Sequence, residues 1–143
     1  MAQIVANHRP ASSRLSRLGV TIVLAHAAVA IVHGASHVGE SVLATGWQAA
    51  YITMVIWIAP LTAAPLLRRT AVAGFGLLAV AMGGSLVFGM VYHFIVAGPD
   101  NVAELPDGPW MLTFQTSAIL LAVTEAAGVA IGVMGVLVSI RRS

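Results

Sequence analysis

The chain has 143 residues, of which 59% are hydrophobic and 8% charged, and its mean hydropathy is +0.93. Soluble domains carry about 25% charged residues, so a soluble globular enzyme is excluded and an integral membrane protein is expected. The net charge of +2 rests on seven basic residues, all arginine, placed at the chain ends and in one turn. That placement argues against nucleic-acid binding, and the absence of cysteine excludes disulfides, Cys-ligated zinc and thiol catalysis. Four spans of about 20 residues with short connections fill the length as a single transmembrane domain, residues 1–143.

Residues 1–17 form a short polar leader that holds Arg9, Arg14 and Arg17. Ser12 or Ser13 can cap a helix beginning there, and Pro10 suits a first helical turn. The apolar run 18–43 is long enough to span with some tilt. It reads as a retained helix rather than a signal peptide cleaved after Ala28-Val29-Ala30, because histidines interrupt it and it continues well past that site.

A tight connection at Thr45, Gly46 and Trp47 leads to a second span over 49–67, which contains no ionisable residue. Pro60 and Pro65 are expected to bend or end it, and Trp47 and Tyr51 suit a membrane interface. Arg68 and Arg69 close this span, and the third, 71–97, is rich in glycine with Tyr92 and His93 near its far end. The loop 98–110 carries Asp100, Glu104 and Asp107. It lacks the spacing of a calcium loop and reads as a solvated turn or a partner-docking surface. The fourth span, 111–140, holds Gln115, Thr124 and Glu125 ahead of Arg141 and Arg142.

The basic leader, the Arg68-Arg69 turn and the C-terminal arginine pair share one side of an up-down-up-down arrangement, and the acidic loop takes the other. The predicted fold class is therefore an all-α integral membrane protein: a four-transmembrane-helix bundle in a bacterial plasma membrane, both termini cytoplasmic and the acidic loop extracytoplasmic. Ala118, Ala122, Glu125, Gly128 and Gly132 mark a packing face on the fourth helix, and Ala30 with Gly34 marks one on the first.

At roughly 100° per residue, His26, His33, His37 and Glu40 fall on one face of the first helix. Ionisable groups inside a bilayer are expensive, so a functional reading is the default. Counting about 1.5 Å per residue from the outer ends puts Glu40 and His93 shallowest, His37 next, and His33 level with Glu125 near mid-depth. On this reckoning His33 is the partner of Glu125, and His26, the deepest, is the least suited ligand.

His33-x-x-x-His37 has the spacing that lets two imidazoles of one helix bind one metal. Adding His93 and either Glu40 or Glu125 gives three nitrogens and a carboxylate, a set suited to Fe, Cu or Zn. The other cofactor this set allows is haem b, held between helices by His93 with His33 or His37. A structural alternative makes the row a polar seam, with Ser36, Thr53, Ser85, Tyr92, Gln115 and Thr124 as cross-helix partners. A further one makes it a proton or ion relay toward Glu125. Met82 lies on the face of His93 but reads as packing rather than as a copper ligand.

The architecture is similar to that of membrane cytochromes and of small subunits of respiratory or photosynthetic complexes. That resemblance implies a lipid-embedded protein, catalytic or not, and either an accessory subunit of a larger membrane complex or a homo-oligomer. It rests on architecture, and no family residue is carried over by it. The function expected is the binding of a transition metal or haem for a redox or metal-dependent role.

Overall fold

The computed structural model describes residues 11–69 and 71–141. Four helices, each long and apolar enough to cross a membrane, run antiparallel to their sequence neighbours. α1 is Ala11–Gly39 and begins well ahead of the apolar run, with Arg14 and Arg17 exposed on its first turns. Ser12 and Ser13 lie within α1, while Arg9, Pro10 and Arg142 fall outside the described residues. α2 is Gly46–Arg69; the Gln48 side chain accepts the Thr45 N–H at 2.8 Å, satisfying one donor at its start. α3 runs through Ala71–Met90 and continues as a π-helical turn, Val91–Ile95. α4 is Met111–Ile140.

Pro60 and Pro65 do not end α2, which continues through both to Arg69. The seven residues before this section, Ile52–Ile58, are wound as a π-helix, and the wider winding accommodates the break in the α-helical ladder that Pro60 imposes. Pro60 has no N–H to give the Ile56 carbonyl four residues back. That carbonyl accepts instead from His26 Nε2–H of α1 at 3.3 Å.

The end of the bundle that carries Arg14, Arg68 and Arg141 is solid. Val23 of α1, Ala63 and Leu67 of α2, and Phe75, Leu78 and Met82 of α3 form its core. Met82 is fully buried there against Gly128, so it packs, as the sequence suggested. α3 and α4 approach so closely that a Cβ on Gly132 would sit 2.7 Å from the Ala79 backbone nitrogen. In lipid such closeness is what holds helices together, since dispersion and not water exclusion drives their association. The outward faces are apolar, with Ile31, Val80, Val87 and Leu112 among the exposed side chains, consistent with lipid embedding.

The other end is looser. α4 packs on α3 and α1, and α3 packs on α2, but α1 meets α2 mainly along Ala59–Arg69. The first half of α2 stands off from α1 and leans on α3 through aromatic rings: Tyr51 stacks on Phe88 at 4.9 Å, and its hydroxyl donates to the Gly84 carbonyl.

Candidate metal centre

Three short-range devices deliver three imidazoles to one point at this looser end. The first is helical spacing: His33 and His37 share a face of α1, and their Nε2 atoms lie 3.1 Å apart. The second is the π-turn at the end of α3, which contains His93 and points its Nε2 to within 3.1 Å of His33 Nε2. The third is the folding of the flanking turns onto the outer edges of these rings.

Ser41 takes a left-handed conformation, with φ 58°, and reverses the chain after α1. Val42 N–H then closes on the His37 carbonyl at 2.9 Å, and the Val42 carbonyl accepts from His37 Nδ1–H at 3.0 Å. The loop after α3 does the same for His93. Val102 N–H donates to the His93 carbonyl at 3.0 Å, Asn101 ties the loop to Val96, and the Asp100 carbonyl accepts from His93 Nδ1–H at 2.9 Å. The acidic loop thus folds over the site through Asp100–Val102, while Glu104 and Asp107 stay exposed, as expected of a solvated turn. On α4, the Ser117 hydroxyl lies 2.6 Å from the Thr113 carbonyl and 2.9 Å from His33 Nδ1, to which it hydrogen-bonds.

Carbonyls fix two of the tautomers: His37 and His93 carry their hydrogen on Nδ1, toward Val42 and Asp100, and turn the Nε2 lone pair toward His33. A single proton between the rings can bridge only one of the two 3.1 Å contacts at a time, whereas a cation at the common point engages all three nitrogens. Two nitrogens bound to one ion at about 2.0–2.1 Å are about 3.3–3.4 Å apart at the tetrahedral angle and about 2.9 Å apart at a right angle. The two 3.1 Å separations, His33 to His37 and His33 to His93, fall between these limits. Hydrogen-bonding the far nitrogen of a metal-binding histidine to an oxygen is also how proteins hold such rings in place.

Among the described residues, His33, His37 and His93 form the one group of three or more His, Asp or Glu side chains close enough to hold an ion, with all candidate ligand atoms within 4.8 Å of one another. His33 and His93 are buried and His37 partly so. Phe114, itself fully buried, lies against all three rings at centroid distances of 4.9, 4.7 and 5.5 Å and seals the side facing α4.

The structure does not bring the two predicted carboxylates into this group. Glu40 lies past the end of α1 and packs against Gly108 of the loop, where an added Cβ would sit 3.2 Å from its Oε1. Glu125 is level with His26 instead of His33: its Oε1 lies 3.8 Å from His26 Nδ1, with both side chains buried. The depth count failed because depth alone ignores the direction in which each side chain leaves its helix. The proposed seam partners also differ. Ser36, Thr53, Ser85 and Thr124 bond carbonyls of their own helices, Gln115 bonds the loop and Tyr51 rather than Tyr92 bridges helices.

Asp100, Ser117 and Phe114 were not among the sequence candidates. Asp100 supplies the carbonyl for His93 and also places its Oδ1 3.4 Å from His37 Nδ1. A serine or phenylalanine in an apolar helix carries no signal of its own; the nearness of Asp100 to His93 in sequence is the one hint that was present.

A cavity of about 210 Å³ adjoins the three imidazoles. His33, His37 and His93 line one side, Glu125 another, and the remaining wall is mainly apolar, including Ile56, Trp57 and Phe88. The predicted small-residue pair Ala30 and Gly34 also lines this space, and a Cβ at Gly34 would meet no neighbouring helix.

The chain matches no protein-family model, and no curated protein or solved structure is significantly similar to it.

Proposed function

We propose that this protein holds one transition-metal ion on the Nε2 atoms of His33, His37 and His93, in the half of a membrane-spanning bundle that lies under the acidic loop. The observation that carries this reading is the convergence of three Nε2 atoms, His33 within 3.1 Å of both His37 and His93, with each far nitrogen, Nδ1, held by an oxygen. Imidazole sets suit Zn, Fe and Cu, and three protein ligands leave coordination positions free, as in metal sites that act on a ligand rather than only brace a fold. The free positions would face the cavity, where a bound metal supplies a Lewis acid or redox centre. Asp100, Ser117 and Val42 orient the rings, Phe114 keeps water from the α4 side, and Glu125 stands across the cavity as a separate polar group.

A single ion suits the geometry better than a haem. Two axial imidazoles on one iron separate their nitrogens by about 4 Å, twice a bond of about 2.0 Å, with a macrocycle between them. Here His33 and His93 are 3.1 Å apart and His37 crowds the same point.

The site lies in the extracytoplasmic half, with both termini cytoplasmic. Support for this orientation comes from charge: Arg14, Arg17, Arg68, Arg69 and Arg141 gather at one end of the bundle, and Asp100, Glu104 and Asp107 at the other. Metal analysis and an optical spectrum of the detergent-purified protein test the central reading. About one Zn, Fe or Cu per chain without a Soret band is expected; a Soret band, or no bound metal after growth and purification with all three supplied, would overturn it.

A further inference from the structure

Glu125 is buried to 3% exposure, yet among the described residues its carboxyl makes no hydrogen bond. Its closest polar neighbour, His26 Nδ1, is 3.8 Å away and is itself unpaired. A buried carboxyl without a hydrogen bond costs several kcal/mol in a medium of low polarity, by about the amount a hydrogen-bonding group in its reach would return. What lies in its reach is the cavity it lines.

The cavity has the size and walls for an apolar guest. A cavity of about 150 Å³ lined by aliphatic and aromatic side chains takes up a benzene-sized molecule, and this one measures about 210 Å³. The Ser85 hydroxyl, the other polar group on the same wall, is already spent on the Ala81 carbonyl. Access is lateral. Where α1 and the first half of α2 stand apart, Gly34 is exposed, and a Cβ added there would meet nothing within 4 Å. Inside, a Cβ added at Gly89 would lie 3.8 Å from Glu125 Oε2 and 3.8 Å from His93 Cδ2, so Glu125 and the histidine cluster face each other across Gly89.

We propose that this cavity binds a bilayer-soluble molecule with a compact, one-ring apolar body and a carbonyl or hydroxyl group, which enters between α1 and α2 and hydrogen-bonds Glu125. A carboxylic acid donates to a carbonyl and a carboxylate accepts from a hydroxyl, so either group suits Glu125. That the far side of the guest meets a metal rests on the function proposed above; the pocket and its polar anchor do not.

The test uses the full chain in lipid nanodiscs, with Trp47→Phe and Trp110→Phe so that Trp57, on the cavity wall, is the one indole left. The probe is duroquinone, a one-ring quinone that quenches indole fluorescence. Saturable quenching is expected, with affinity lowered at least about tenfold by Gly34→Phe, which fills the opening, and about five- to tenfold by Glu125→Leu, the loss of one buried hydrogen bond. Gly89→Ala, whose methyl makes only ordinary contacts, weakens binding from inside and serves if Gly34→Phe does not fold. Quenching that rises linearly with quinone, or that none of these variants changes, would overturn the proposal. Metal content is read on the same samples. Saturable, variant-sensitive quenching in a chain without metal keeps the pocket and removes the metal, and linear quenching in a metal-bearing chain does the reverse.

Discussion

Where Arg14, Arg68 and Arg141 lie, α3 and α4 close until a Cβ on Gly132 would strike the Ala79 backbone, and Gly135 admits the ring of Phe75. Under the acidic loop the same helices, with α1 and the start of α2, stand apart around about 210 Å³ of space and three imidazoles. Both π-helical stretches, Ile52–Ile58 and Val91–Ile95, fall in this second half. Composition does not separate the halves, since glycine and alanine are frequent in both. What separates them is whether the small residues meet a neighbour: Gly132 does, and Gly34 faces open space. The solid half supplies the packing that lets the other remain hollow and polar, and π-turns are a known way of re-aiming side chains at such sites.

If the halves divide the work in this way, variants should separate metal binding from stability. His33→Ala removes the imidazole that both others touch, and metal affinity is expected to fall by more than about 100-fold, beyond the loss from removing an orienting partner; equilibrium dialysis against the metal found in the parent reads this. Gly132→Ala should do the opposite. It forces α3 and α4 apart at a cost of about 1–3 kcal/mol, visible in detergent unfolding monitored by circular dichroism, with metal stoichiometry unchanged in the folded fraction. Loss of metal in Gly132→Ala at full helicity would break the division.

Ser117→Ala sharpens it further, because it removes the hydroxyl that hydrogen-bonds His33 Nδ1 and leaves the ring in place. Metal affinity is expected to drop about 10- to 100-fold with little change in unfolding. The smallest effect belongs to Ser41→Gly. Relief of the left-handed serine should stabilise the turn by about 0.5 kcal/mol and leave the Val42 carbonyl on His37, so metal affinity stays at the parent value.

Much of the frame was legible in the sequence because hydropathy and charge report on long, regular elements. Four helices, two short connections, one longer acidic loop and the folding of each helix against its sequence neighbour all follow from the apolar runs. Boundaries were less so: α1 takes in Arg14 and Arg17, because a helix end outside the apolar run keeps its backbone bonds while those side chains reach solvent. Within the site, the i, i+4 pair was legible because helical spacing suffices for it, and His93 because it is the one histidine of the spans outside α1. The positions of Glu125 and Glu40 were not. Glu125 depends on the rotation of α4 relative to α1, which depth does not encode, and Glu40 depends on the end of α1 at Gly39. Asp100 and Val42 act through backbone carbonyls, a role open to any residue type, so only the fold of their turns could reveal them.

The claim at the centre of this account is that three imidazole nitrogens converge on one ion. X-ray absorption at the edge of the bound metal tests it most directly. The account predicts three nitrogen scatterers at about 2.0–2.1 Å with the outer-shell pattern of imidazole, reduced by one in His33→Ala if metal is retained at all. A shell of oxygens alone, or a spectrum identical in the parent and in His33→Ala, would contradict it.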